Sequence, residues 1–245
     1  VKTDRSRLAI ALQIFVVWAL ITVFGSGLYA GFGMMLWATP LQGINPAFAM
    51  AIIFLAGMVF YNRWRDIGFA RPTDLGILWL PFVYIGFLSV VMFSAGLPSP
   101  QIILLVFYNT LLVGISEELM FRGILFRAMR GRFAIWPSIW LTTALFGSVH
   151  VMNAFLTGHL LIAIAQTVTA FFNGILFLAI RLRTGSLYPA MAFHALWNLC
   201  IFLKTLSPSD GDTLGLVALA TGFVIVLPNL LYGLYLLRNV SDDTA

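Results

Sequence analysis

The sequence predicts an all-α polytopic membrane protein: an eight-transmembrane-helix bundle with a buried polar site and both termini in the cytoplasm. Three observations carry this expectation. The first is composition. Of 245 residues, 61% are hydrophobic and 9% are charged, against about 25% charged in soluble domains. A soluble core of this length cannot hide so much apolar surface, so lipid must solvate much of it. The second is that apolar runs of spanning length follow one another along the chain. The third is where the basic residues fall.

A span needs about 20 mostly apolar residues. Eight runs qualify, at roughly 8–30, 46–62, 75–95, 101–127, 135–153, 159–181, 187–205 and 214–237. Lys2, Arg5 and Arg7 before the first run resemble the start of a signal peptide. That run continues past Phe24 without a clear small-x-small cleavage site, so it reads as a retained span. Residues 31–45 are Gly-rich and apolar, and read either as loop or as a helix extension. Pro137 and Pro189 fall in first turns, where a missing N–H costs nothing. Pro81 and Pro228 fall inside spans and are expected to kink them.

With the N-terminus in the cytoplasm, that side receives Lys2, Arg5, Arg7, Arg63, Arg65, Arg71, Arg127, Arg130, Arg132, Arg181, Arg183 and Arg238. The opposite side receives only Lys204, and Arg122 stays inside the fourth span. One miscounted span in the middle would scramble this asymmetry. The net charge of +5 therefore reports topology. The basic residues are spread between apolar runs and form no patch for nucleic acid. A single cysteine, Cys200, excludes an internal disulfide and reads as a small buried hydrophobe. With no long linker, low-complexity tract or repeat, the chain reads as a single integral membrane domain, 1–245.

Few strongly polar residues lie within the spans. Glu117 and Glu118 are the only glutamates in the chain, and a charge at the bilayer centre costs roughly 3 kcal/mol on insertion scales. Glu118 and Arg122 are i,i+4 and share a helix face. Glu117 is rotated by about 100° from Glu118 and has no basic neighbour on its own face. His150 lies in the fifth span, Asn173 in the sixth, His194 and Asn198 (again i,i+4) in the seventh, and Asn229 beside Pro228 in the eighth. Measured from the cytoplasmic end, Glu117, His194, Asn198 and His150 lie about 15, 10, 16 and 20 Å deep at 1.5 Å per residue. Groups from three helices can therefore meet at one level. An unpaired carboxylate in a semi-apolar site can take and return a proton. His159 falls at an outer loop edge and reads as surface. Ser116 and Ser148 lack a placed partner and read as helix-packing residues.

The three stretches Glu117-Glu118-x-x-x-Arg122, Phe146-x-x-x-His150 and His194-x-x-x-Asn198 resemble the motifs of the CPBP family. This family comprises the Rce1-type CAAX prenyl proteases and the bacteriocin-processing or self-immunity (ABI) proteins. Each motif is weak alone, but three in order on successive spans are strong. The resemblance covers roughly residues 110–205, including Arg183-Thr-Gly-Ser-Leu187 before the seventh span. It implies an intramembrane endopeptidase with a catalytic core there, acting on a membrane-anchored protein or peptide in the bilayer, with a prokaryotic cell membrane as the expected setting. By position, Glu117 and His150 would activate water, His194 and Asn198 would stabilise the oxyanion, and Glu118 and Arg122 would support the site.

The residue chemistry agrees. Peptide hydrolysis needs a base for water, donors for the developing negative oxygen and a proton for the leaving amine. Two histidines and a carboxylate are also the ligand set of many hydrolytic zinc sites. A metalloprotease holding a divalent metal such as zinc on Glu117, His150 and His194 therefore stays open beside a metal-free glutamate mechanism. Asn198 is a poor zinc ligand. Two other classes are a non-proteolytic scaffold or self-immunity protein, and a proton-coupled transporter. The last predicts inverted repeats and broken helices, which the sequence does not clearly show.

Overall fold

A chain this apolar must satisfy its backbone hydrogen bonds within each segment, and the helix is the solution open to a single run. A computed structural model describes residues 4–26, 44–154, 158–207 and 216–242, and among these all regular structure is helical. Helix α1 (Asp4–Ala19) continues through a π-helical stretch, Leu20–Phe24. It is followed by α2 (Ile44–Asn62) and by α3 (Trp79–Ser94), which a 3₁₀ turn at Leu75–Leu78 introduces. Helix α4 (Pro100–Glu118) runs on through a π-helical segment, Leu119–Leu125, into a last turn at Phe126–Arg130. Then come α5 (Ile135–Val149), closed by a 3₁₀ turn at His150–Met152, α6 (Leu160–Thr184), α7 (Tyr188–Thr205) and α8 (Leu216–Leu237). The ambiguous segment 31–45 lies outside the described residues up to 43; α2 starts at Ile44.

Among the described residues, five helical segments are long and apolar enough to cross a membrane: Ser6–Phe24, Asn45–Asn62, Leu75–Ser94, Pro100–Arg130 and Leu160–Thr184. Helix α5 is shorter, at 15 residues. Helix α7 is long enough, but it carries His194, Asn198 and Lys204. Pro81 behaves differently from expectation. It sits in the first turn of α3, after the 3₁₀ turn, where its missing N–H breaks no helical bond. Pro228 does lie inside α8.

The bundle is apolar outside and polar at its centre. Ile53, Phe60, Val90 and Val224 are exposed, whereas Glu117, Glu118, Arg122, Asn173, His194 and Asn229 are buried. Outward apolar side chains suit hydrocarbon, and inward polar ones must find partners. Asn229 Nδ2 donates to Asn173 Oδ1 at 2.7 Å, tying α8 to α6. Cys200 is buried beside Ser89, with Sγ and Oγ 3.6 Å apart.

One end of the bundle gathers the arginines. Arg7 and Arg127 share Asp66, Arg183 pairs with Asp74 and Arg130 with Asp242. The chain segments there are joined by backbone bonds from Thr73 N–H to Thr184 O and from Leu187 N–H to Gly68 O, both 2.9 Å. At the other end Ser207 donates to the Ala95 carbonyl, and Asn153 to Gln166 at 3.0 Å.

Candidate active site

The site begins with a close helix approach. A Cβ on Gly114 of α4 would lie 3.0 Å from the Met191 carbonyl oxygen and 3.1 Å from the Ala195 nitrogen, both on the α7 backbone. Only a glycine lets the two backbones come this near. One turn further along α4, Glu117 and Glu118 therefore face His194 across a short gap.

The two carboxylates do different things. Glu118 is fully buried. Its Oε1 accepts a hydrogen bond from Arg122 Nη1 at 3.0 Å and lies 2.9 Å from His194 Nδ1. Glu117 sits 3.7 Å from the other ring nitrogen, His194 Nε2, and its buried Oε2 makes no hydrogen bond to a described residue. Glu118 thus reaches His194 as well as Arg122. A negative charge at Nδ1 keeps a proton on that nitrogen, which turns Nε2 toward Glu117.

Arg122 is buried behind this pair. Its Nη2 donates to the Gly174 carbonyl at 3.1 Å, and its guanidinium lies over the rings of Phe146 and Phe177 at 4.1 and 5.2 Å. Ion pair, carbonyl and two aromatic faces together offset the desolvation of the charge. The helix leaves the α pattern directly after Glu118, at the π-helical Leu119–Leu125. Such wide turns occur mostly as single insertions and frequently at functional sites.

Phe146 and Phe177 organise the rest. The His194 ring stacks on Phe177 at 4.5 Å, and Phe146 meets His150 and His194 edge-on at 5.2 and 6.0 Å. His150 does not sit in mid-helix. It caps the C-terminus of α5, where the 3₁₀ turn begins, with Nδ1 2.9 Å from the Phe146 carbonyl.

A cavity of about 340 Å³ opens beside these groups. Glu117, His150, His194 and Asn198 line it, together with Trp18, Asn109, Asn173, Phe177 and Trp197. Glu118 and Arg122 do not line it. The structure therefore brings Glu117, Glu118, Arg122 and His194 into direct register, and sets His150 and Asn198 on the walls of the same cavity. His159 is exposed at the N-terminal boundary of α6. Ser116 accepts a hydrogen bond from Trp18 Nε1 at 2.9 Å, a packing role that anchors α1 to α4.

Three site residues escape the motif reading: Trp18, Gly174 and Phe177. Trp18 and Phe177 look like any aromatic residue in an apolar run. Gly174 acts through a backbone oxygen, which has no sequence signature. Asn173, four residues before Phe177, was a polar signal on that helix.

The metal alternative finds no support. Among the described residues no group of three or more His, Cys, Asp or Glu side chains could hold a metal ion. His194 Nδ1 is engaged by Glu118 and His150 Nδ1 by a carbonyl, which leaves Nε2 as the ring nitrogen each could offer a ligand. Glu117, His150 and His194 are therefore not placed as a three-ligand group.

No curated protein and no solved structure matches the chain. Residues 99–200 match the model of a family described as type II CAAX prenyl endopeptidase Rce1-like, a family of membrane proteases with protein substrates. The matched stretch runs from the start of α4 through most of α7 and holds Glu117, Glu118, Arg122, His150, His194 and Asn198, so that this segment of the chain is similar to the Rce1-like family.

Proposed function

We propose that the protein is an intramembrane endopeptidase that hydrolyses a peptide bond of a membrane-anchored protein, with Glu117 as the base that activates water. The observation that carries this reading is the division of the two glutamates. Glu117 lines the cavity, whereas Glu118, paired with Arg122, does not and is packed behind it.

In this reading Glu117 takes a proton from a water in the cavity, and the water oxygen attacks the substrate carbonyl. Protonated Glu117 then returns the proton to the leaving amine. His194 holds a proton on Nδ1 toward Glu118. With a proton on Nε2 as well, the ring donates to the oxyanion from the side that faces Glu117. The Asn198 amide is a second donor, and His150 assists at the water. Donors fixed in an apolar site contribute a few kcal/mol each, about 3 for one oxyanion contact.

The setting follows the same line. We read eight membrane crossings in a single domain, with both termini on the arginine-rich, cytoplasmic side, in the cell membrane of a prokaryote. The ion pairs that join Arg7, Asp66, Arg127, Arg130 and Asp242 at one end support alternating crossings. The substrate is a prenylated CAAX-type protein or a bacteriocin-like peptide precursor.

Cleavage of a membrane-anchored reporter by protein purified in detergent tests the site. Glu117→Ala, His150→Ala and His194→Ala are each expected to lose activity by orders of magnitude. Wild-type cleavage by all three would mean that the chemistry lies elsewhere, and would favour a scaffold or self-immunity role.

A further inference from the structure

Arg181, on the last turns of α6, lies away from the cavity at the arginine-rich end. Its Nε is buried without a hydrogen-bond partner, and its guanidinium forms no ion pair with a described carboxylate. The group is held in place all the same. It lies flat against the backbone of Gly68: a Cβ at that position would be 2.4 Å from both Nε and Nη2. Gly68 has φ +107°, where side-chain-bearing residues are strained, and its carbonyl is tied to Leu187 N–H at 2.9 Å. Glycine here therefore forms a seat for the guanidinium.

The neighbouring charges leave Arg181 uncompensated. Arg127 lies close enough to repel it, and Asp66 is the nearby carboxylate. Asp66 already accepts two bonds from Arg7, at 2.9 and 2.8 Å, and one from Arg127 at 3.3 Å. Asp74 and Asp242 are held by Arg183 and Arg130. Arg7 and Arg127 thus occupy the carboxylate nearest Arg181. A partly buried cation without a partner is costly, and an outside anion removes the cost.

We propose that Arg181, with Arg127 beside it, forms a binding site for a phosphate group, and that this group is the headgroup of an anionic lipid. The planar guanidinium fork matches phosphate oxygens. The site lies at the end of a helix of spanning length, where headgroups are found, and basic pockets between membrane helices bind such lipids.

The test is the thermal stability of the full-length protein in nanodiscs of phosphatidylcholine alone or of equal parts phosphatidylcholine and phosphatidylglycerol. Anionic lipid is expected to raise the wild-type Tm by about 3 °C, the scale of one good interaction in a domain this size. Arg181→Gln removes that rise and, in phosphatidylcholine alone, is no less stable than wild type. Arg132→Gln, an exposed arginine at the same end, keeps the rise. An equal rise in Arg181→Gln overturns the proposal. A full rise from inorganic phosphate in phosphatidylcholine nanodiscs overturns the lipid assignment and gives the site to a soluble phosphate. Should Arg181→Gln fail to fold, Arg181→Lys keeps the charge and loses the fork. Native mass spectrometry then decides: fewer retained anionic lipids than wild type supports the site, and equal numbers refute it.

Discussion

Two arginine–carboxylate clusters in this protein use the same parts in unlike surroundings. Mid-bundle, Arg122 and Glu118 pair at 3.0 Å with side chains 1% and 0% exposed. At the arginine-rich end, Arg7 and Arg127 pair with Asp66 at 2.8 and 3.3 Å, with side chains 21–39% exposed. The distances barely differ, but the consequences do. Water screens the outer cluster, so its net contribution is small. Nothing screens the inner one, and each member exists only because the others compensate it. Distance alone therefore says little about an ion pair; what surrounds it decides whether it is dispensable.

The comparison breaks most visibly at Arg122. Arg122→Ala leaves Glu118 buried with only His194, and is expected to destabilise by about 3–5 kcal/mol. Thermal unfolding in detergent, together with reporter cleavage, should show both fold and activity lost. A shift as small as that of a surface arginine would refute the contrast. Next is Glu117→Gln, which keeps the shape and removes the base. Activity should fall by about 10²–10⁴-fold while the Tm stays near wild type, because Arg122 pairs with Glu118 and Glu117 meets His194 only at 3.7 Å. A parallel loss of Tm would place Glu117 with the structural group instead.

Gly174→Ala tests the inner cluster without touching a charge. Its Cβ would lie 2.9 Å from Thr143 Cγ2, 3.0 Å from Phe146 Cδ1 and 3.1 Å from Arg122 Nη2. Overpacking of this kind costs about 1–3 kcal/mol, measurable as a lower Tm, and should slow cleavage by displacing Arg122 from its carbonyl. The smallest effect belongs to Asp66→Asn, about 0–1 kcal/mol.

Acid titration sharpens that last case. Burial raises the Asp66 carboxyl, but the Arg7 hydrogen bonds and the charges of Arg7 and Arg127 outweigh it, so its pKa falls below 3.8. A lowered carboxylate stabilises the fold above its unfolded value and loses that contribution as pH falls through the folded one. Wild type and Asp66→Asn should therefore differ slightly at neutral pH and converge below pH 3.8. Divergence on acidification would reverse the assignment.

Much of this was legible in the chain itself. The expected runs at 46–62, 75–95, 159–181 and 187–205 agree closely with α2, the 3₁₀ turn plus α3, α6 and α7, because hydrocarbon leaves a backbone little choice but the helix. The Glu118–Arg122 pair follows from i,i+4 spacing, and the polar residues stood out because their cost in an apolar run is large. What could not be read was anything set between helices. The His194 link to Glu118 spans 76 residues of sequence, and the Trp18 bond to Ser116 spans 98. The Pro81 position and the early end of α5 at Val149 depend on local hydrogen bonding that hydropathy does not see.

The opposed roles of adjacent glutamates divide along the same line. Sequence alone determined that two carboxylates and an arginine lie within an apolar helix, and that they point to different faces, because helical rotation per residue is fixed. Only the tertiary structure decided what each face meets. Gly114 lets α7 close on α4, Gly174 lends a carbonyl to Arg122, and Phe146 and Phe177 fill the space between. Those contacts set Glu118 in a sealed cluster and leave Glu117 on a cavity wall. Periodicity gives the direction of a side chain along its own helix, but the identity of its neighbour is a property of packing.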